Sequence, residues 1–503
     1  MKKISILFAL IGGLTLSSCE DFLSIVPETQ LSSATFFQTE NDFKQAVNAA
    51  YAPMRNVVND RAWLVSEMRS DNTIYARNIL FGATEQQEDI SDHAIPEAQG
   101  ITSNTHVLNQ YRLNYLTISR TNQILASIDP VTFDATSKNN IKGQALFLRA
   151  YSYFELVRYF QKAPLHLTPV TNRSEAAKEL ASEEQLYTQI IKDAQEAITL
   201  LPARPQQELG RATSGAARML LAEVYITRKN WAQAETLLKE IVSSGHYSLI
   251  PNYANVFSDN TSNKNNAESL FEVQFLEGAA GMAGSFLYNF MPRPMTPAEL
   301  VTITGTSNPQ PLDGEGNNVP TPDIIAAYEE GDLRKDASIG FITLSTSLVD
   351  APKIFPYIKK FAKKHAQHGN HGMNFPIYRY AEVLLFLAEA LNEQGKTSEA
   401  ATFLNQVRSR AGLAATTAST QATLREAIFK ERRVELAFEN KRWHDITRTD
   451  RVQEIIGAFA ARAKANPQLY YYPKGATFRS NAFTNITKFY ALPAAESEIS
   501  PFF

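Results

Sequence analysis

Cysteine is almost missing from this chain: Cys19 is the only one among 503 residues. No internal disulfide is possible, so stability has to come from an apolar core, and a chain of this length can build one. An excess of charge is missing too. With Lys2 and Lys3 set aside as part of a leader, 47 basic residues face 52 acidic ones, and no block of Lys and Arg stands out. Nothing in that balance calls for nucleic acid or an anionic membrane surface. Beyond the first twenty residues no run reaches transmembrane length, and the alternation of a membrane barrel is not seen.

Enzyme signatures are scarce as well. There is no His-Glu-x-x-His, no G-x-S-x-G elbow, no phosphate-binding glycine loop and no cysteine nucleophile. Gly278 to Gly284 contains three glycines, but without the strand–turn–helix order of a cofactor site. The carboxylate pair of a glycosidase need only meet in space, so sequence does not exclude it. The reading is of a protein that is not an enzyme and needs no cofactor.

What is present begins at the N-terminus. Lys2 and Lys3 precede a short apolar stretch, Ile4 to Leu16, that ends in Leu16-Ser17-Ser18-Cys19. That is a secretory signal with a lipobox, predicting cleavage before Cys19 and acylation of its thiol. More than one acyl chain anchors stably, so the expectation is a folded body tethered to a membrane outside the cytoplasm.

Helical periodicity starts at Phe43, Val47, Ala50 and Tyr51. Further helices are expected over Val107 to Ile128, Ile141 to Phe160 and Glu183 to Leu200, with loops from about Asn59 to Asn104. An internal repeat follows. Leu221-Ala222-Glu223 and Leu387-Ala388-Glu389 each open a segment with a small Ala twelve residues on (Ala234, Ala400) and a Leu sixteen on (Leu238, Leu404). Each copy reads as helix, tight turn, helix, the small Ala letting two backbones approach. Such tetratricopeptide-type hairpins cannot bury their faces alone, so the 43–128 and 141–200 helices are candidates for further pairs. Ser269 to Phe275 alternates like a strand, with Glu272 facing out. Residues 277–322 form a long Gly-, Pro- and Asn-rich stretch. Helix returns at Ala381 and again from Leu424 to Phe438, and the tail from Tyr470 is aromatic without helical period.

Several clusters invite chemistry. His365, His368 and His371 could ligate a metal, but the glycines among them favour a solvated loop. Asp313-Gly314-Glu315-Gly316-Asn317 alternates oxygen ligands like a calcium loop, yet lacks its terminal bidentate Glu, so a polar turn is preferred. Glu431, Arg432, Arg433 and Glu435 read as ion pairs joining helices. Trp231 falls at a hairpin turn, whereas Trp63 falls in a loop.

Five segments, in order, resemble one family. They are Ala145-Leu146-Phe147-Leu148-Arg149-Ala150-Tyr151; Arg211-Ala212-Thr213; Ser244-Gly245-His246-Tyr247; Arg379-Tyr380-Ala381-Glu382; and Glu431-Arg432-Arg433-Val434-Glu435-Leu436-Ala437-Phe438-Glu439 with Arg442-Trp443-His444-Asp445. Behind a lipobox, the set is similar to the SusD/RagB-like nutrient-binding lipoproteins of Bacteroidetes. The ending Tyr490-Ala491-Leu492-Pro493 only approximates the family's.

The resemblance implies a mostly α fold: about four tetratricopeptide-like pairs with a loop-rich ligand lobe and few short strands. It divides the chain into a signal peptide (1–18), a lipidated tether (19–38), an N-terminal helical region (39–268) and a C-terminal region (269–503) carrying a ligand-lobe insert (277–375). It further implies an outer-membrane lipoprotein facing the cell exterior that captures a glycan, or in the RagB branch a peptide. The captured ligand passes to a SusC-like TonB-dependent transporter. Family ligand residues tend to come from the early loop and the central insert. A sugar offers an apolar face for aromatic stacking and a polar rim for hydrogen bonds. The expected ligand set is therefore Trp63, Arg69, Asp71, Asn72, Tyr75, Arg77, Asn78 and Phe81. Phe286, Tyr288 and Phe290 join it, and would project to one side if extended.

Overall fold

The computed structural model describes residues 36–59, 64–77, 86–98, 100–257, 264–278, 281–311, 318–345 and 354–502. Eight helices form the scaffold: α1 (Glu40–Asn59), α2 (Thr105–Ser127), α3 (Ala135–Phe160), α4 (Glu183–Leu200), α5 (Ser214–Thr227), α6 (Trp231–Ser243), α7 (Tyr380–Glu393) and α8 (Thr397–Arg410). They pack as four antiparallel-type pairs, α1 with α2, α3 with α4, α5 with α6 and α7 with α8. Successive pairs also touch, through α2 on α3, α4 on α5 and α6 on α7. Both repeats and both additional pairs expected from sequence are there. Ala234 and Ala400 are completely buried between their helices, as close backbone approach requires.

The boundaries follow local chemistry. Ser182 and Gln185 form a reciprocal capping box at the start of α4, and Thr213 accepts a hydrogen bond from Ala216 N to open α5. α3 begins six residues before the start expected from apolar spacing. Asp134 caps it by accepting from Ser137 N, so its polar first turn is helical without burying an apolar stripe.

Three further helices follow the hairpins: α9 (Gln421–Glu435), α10 (Arg442–Arg448) and α11 (Val452–Ala465). α9 stops three residues short of the expected end, because Phe438 and Asn440 take left-handed backbone angles. Strands are few. β1 (Ser269–Val273) pairs antiparallel with β4 (Phe375–Arg379), and β2 (Ile339–Thr343) with β3 (Ile354–Ile358). All of β1 is buried, so Glu272 does not face solvent as its alternation suggested. It accepts hydrogen bonds from Asn265 N and Asn374 Nδ2 instead. The 59–104 region holds two short helices, Leu64–Glu67 and Gln86–Ser91, and two-residue strands among its loops.

Apolar side chains fall into two cores. One runs the length of the hairpin scaffold. The other lies in the lobe and gathers Ile74, Leu287, Tyr288, Leu300, Val319, Trp443 and the buried face of α11.

Candidate functional site

Among the described residues, the early-loop positions expected to contact a ligand are mostly turned inward. Arg442 grips Asp71 with two parallel bonds, Nε to Oδ1 at 2.7 Å and Nη2 to Oδ2 at 3.1 Å, while Arg433 sits 2.9 Å from Oδ2. Burial works against the Asp71 charge, but the two guanidiniums outweigh it and hold the pKa down to about 2. Asn72 accepts from Arg433 Nε, and the Arg69 guanidinium lies against the rings of Tyr490 and Trp443 while donating to Thr487. Tyr75 accepts at its hydroxyl from Arg293. Asp71 and Asn72 tie the early loop to α9 and α10, Arg69 ties it to the tail at Thr487, and Tyr75 ties it to Arg293, so all four are buried and engaged within the protein. Arg77 is partly exposed and pairs with Glu88 at 3.3 Å. Trp63, Asn78 and Phe81 lie outside the described residues, as do Cys19 and the 313–317 turn.

The central aromatics also differ from expectation. Residues Phe286–Phe290 form a 3-10 turn rather than an extended segment, and all three rings are buried. Phe286 and Phe290 pack on Phe361, whereas Tyr288 points the other way and its hydroxyl meets His365 Nε2 at 2.5 Å. The histidine stretch is correspondingly not a solvated loop. His365 and His371 are buried, and burial, reinforced by neighbouring His365 and Lys264, drives the His371 pKa well below the usual histidine value. Gly284 exchanges two backbone hydrogen bonds with His371, whose ring occupies the place a Cβ would take at 284. Among the described residues no cluster of His, Cys, Asp and Glu could hold a metal ion.

The arginine–glutamate segment of α9 behaves as read from sequence. Glu435 is reached by Arg334, Arg379 and Arg410 at 3.1, 2.9 and 2.5 Å, and Arg432 bridges Asp445 and Glu382. It is an internal network joining α7, α8, α9 and α10.

The early loop and the central insert do come together, through a residue the sequence did not mark. Asn59, the last residue of α1, donates from Nδ2 to Ala283 O and accepts at Oδ1 from Ser285 N, both at 3.0 Å. Beside this clamp opens a groove of about 410 Å³ between α1, the 208–211 turn and β1. That volume falls within the range of roughly 300–1,000 Å³ typical of small-ligand sites. Asn48, Tyr51 and Arg55 reach it from one face of α1, spaced three and four residues apart, and Phe271, Gln274 and Met282 face them. Tyr51 and Arg55 are half-buried, and Leu209 and Met282 leave an exposed apolar rim. The Tyr51 hydroxyl is committed, donating to Gln144 and accepting from Ala212 N, so it offers ring surface rather than a hydrogen bond. Arg55 makes no hydrogen bond or ion pair among the described residues, and burial pulls its pKa below the usual arginine value. The one sequence signal for this groove was the periodicity of α1, which placed Tyr51 at the edge of the buried face.

A stack of helical hairpins carrying a loop-built lobe, with an open groove where the two meet, defines a repeat-scaffold protein of the tetratricopeptide type. The chain belongs to the SusD/RagB-like family. Residues 336–501 match the SusD family, and residues 21–226 match a family described as "Starch-binding associating with outer membrane". SusD-like protein P25 of Formosa agariphila is 27% identical over 485 residues, covering 87% of this chain and 88% of that protein. A SusD-like carbohydrate binding protein from Bacteroides fragilis NCTC 9343 superposes with a TM-score of 0.76 at 22% identity, covering 93% of this chain and 99% of that one. Surface glycan-binding protein A from Bacteroides thetaiotaomicron, solved with laminarihexaose, gives 0.70 at 20% identity, covering 91% and 97%. At these identities the solved structures establish the shared fold.

Proposed function

We propose that this protein is a lipoprotein of the outer membrane, anchored through Cys19 and facing outward. In this reading it captures an oligosaccharide or polysaccharide and passes it, chemically unaltered, to a SusC-like TonB-dependent transporter. The observation that carries the reading is the groove beside Asn59. It combines half-buried Tyr51, an apolar rim and the unpartnered Arg55, and Met282 brings the central insert to its edge next to the Asn59 clamp. Support comes from the relatives: one solved neighbour holds laminarihexaose, and one matching family model is described as starch-binding and outer-membrane-associated. Trp63 follows the Asn59 clamp by four residues and, with Asn78 and Phe81, stays in the proposed ligand set. Arg69, Asp71, Asn72, Tyr75, Phe286, Tyr288 and Phe290 are proposed to hold the lobe in place.

The test is a titration of the detergent-solubilised full-length protein with a panel of soluble glycans and with mixed peptides. Saturable binding of a glycan that is recovered intact is expected. Peptide binding without any glycan binding would replace this reading by the RagB-type one, and cleavage of the glycan would make the protein an enzyme.

A further inference from the structure

The groove is lined by four charged side chains, and three of them are answered internally. Arg211 pairs with Glu208 at 3.0 Å, and Glu272 accepts from the amides of Asn265 and Asn374. Arg55 alone of the four has no partner among the described residues. Most buried arginines of the interior meet carboxylates: Arg149 holds Asp193, Arg379 holds Glu439 and Glu268, and Arg448 holds Glu389 and Asp445. Arg69, which does not, donates to Thr487 and lies against two rings, whereas Arg55 has neither kind of contact. A guanidinium loses hydration when half-buried, and an anion presented to its planar fork restores that loss through paired, charge-assisted hydrogen bonds.

We infer that the groove takes an anionic saccharide, one bearing a uronate carboxylate or a sulfate, with the charged group on the Arg55 guanidinium and the sugar ring against Tyr51 and the Met282 rim. The inference rests on the glycan reading above. Helix geometry supports the placement. Arg55 follows Tyr51 by four residues on α1, so the cation and the ring lie one above the other on a single face. Leu209 and Met282, both substantially exposed, supply the apolar contact for the C–H face. A carboxylate and a sulfate ester present the same geometry to the fork, so the two sources are separated by the ligands used.

The experiment is calorimetric titration of the full-length protein with oligogalacturonate, with the same oligomer methyl-esterified, with a sulfated oligosaccharide and with neutral laminarihexaose. The expected result is that at least one anionic oligomer binds ten-fold or more tightly than its esterified or desulfated form. Which of the two does so identifies the anion. Arg55→Gln should abolish that preference while leaving the thermal melt unchanged, and Arg55→Lys should recover part of it. Equal affinity for charged and neutralised oligomers would overturn the inference and leave the glycan reading standing. Failure of every saccharide to bind would remove both. The esterification comparison needs no variant, so a destabilised Arg55→Gln protein does not blunt the test.

Discussion

Two seams hold this molecule together, and they are built on opposite principles. Within the hairpins the contact is mostly apolar and close. Ala234 and Ala400 let backbones approach, while Leu238 and Leu404 fill the facing grooves. Where the early loop and β4 meet α9 and α10 the contact is ionic. Asp71 lies in the grip of Arg442 and Arg433, and Arg379 joins β4 to Glu435 and Glu439 beyond the end of α9. An apolar seam between regular helices is non-directional and tolerates drift as long as volume is conserved. A buried ion pair contributes little net stability, because desolvation offsets attraction, but it fixes position sharply. The difference teaches how a loop-built lobe acquires a definite pose. Its backbone lacks the periodic packing of a repeat, so charged pairs of long reach set where it sits.

The comparison breaks most violently at the ionic seam. Asp71→Ala leaves Arg442 and Arg433 buried without their carboxylate, an error expected to cost about 3–5 kcal/mol. The pH dependence carries a definite sign. The folded pKa of Asp71 is depressed to about 2, so its contribution is present above the unfolded value near 4 and is lost as pH falls through about 2. The gap between wild type and Asp71→Ala should therefore be full at neutral pH and shrink between pH 4 and 2. Thermal melts across that window measure it. A gap that does not change with pH would mean that the carboxylate's charge is not what anchors the lobe.

At the apolar seam the expected effect is smaller. Ala400→Phe forces a ring between α7 and α8, where the Ala side chain is wholly enclosed, and should cost about 1–3 kcal/mol. Unlike the Asp71 variant, it should show no special dependence on acid. Equal pH profiles for the two variants would erase the distinction between the seams.

The same contrast explains what sequence revealed. Helical pairs were legible because period and burial coincide there. The expected span of α4 matches the observed one, and the two Ala–Leu repeats land on α5–α6 and α7–α8. The ion-pair role of Glu431 to Glu435 was legible from helical spacing. The lobe was not. Asp71, Asn72 and Arg69 are the polar types a sugar site uses, and their loop context pointed outward. Their true partners lie more than 350 residues away in the chain, where no local pattern records them. Phe286, Tyr288 and Phe290 misled for a related reason. Alternation implies one face only in a strand, and a 3-10 turn sends the same residues to different sides. Arg55 and Asn59 gave no signal, since what distinguishes them is respectively a missing partner and a distant one.

The smallest expected effect lies where the two regions meet at the groove. Asn59 closes α1 and holds the 283–285 backbone with one donated and one accepted hydrogen bond. Asn59→Ala removes both, and a net cost near 1 kcal/mol is the expected order for such neutral bonds. The loss should be local, because both seams stay intact. The melt should thus move little, while amide exchange at Ser285 should accelerate and glycan affinity should fall as the groove's edge loosens. Asn59→Asp is the sharper companion. It keeps the acceptor for Ser285 N but loses the donor to Ala283 O and sets a carboxylate against a carbonyl, so exchange at Ser285 should be less affected than in the Ala variant. Should both variants exchange and bind like wild type, the clamp would be incidental, and the groove would owe its shape to α1 and β1 alone.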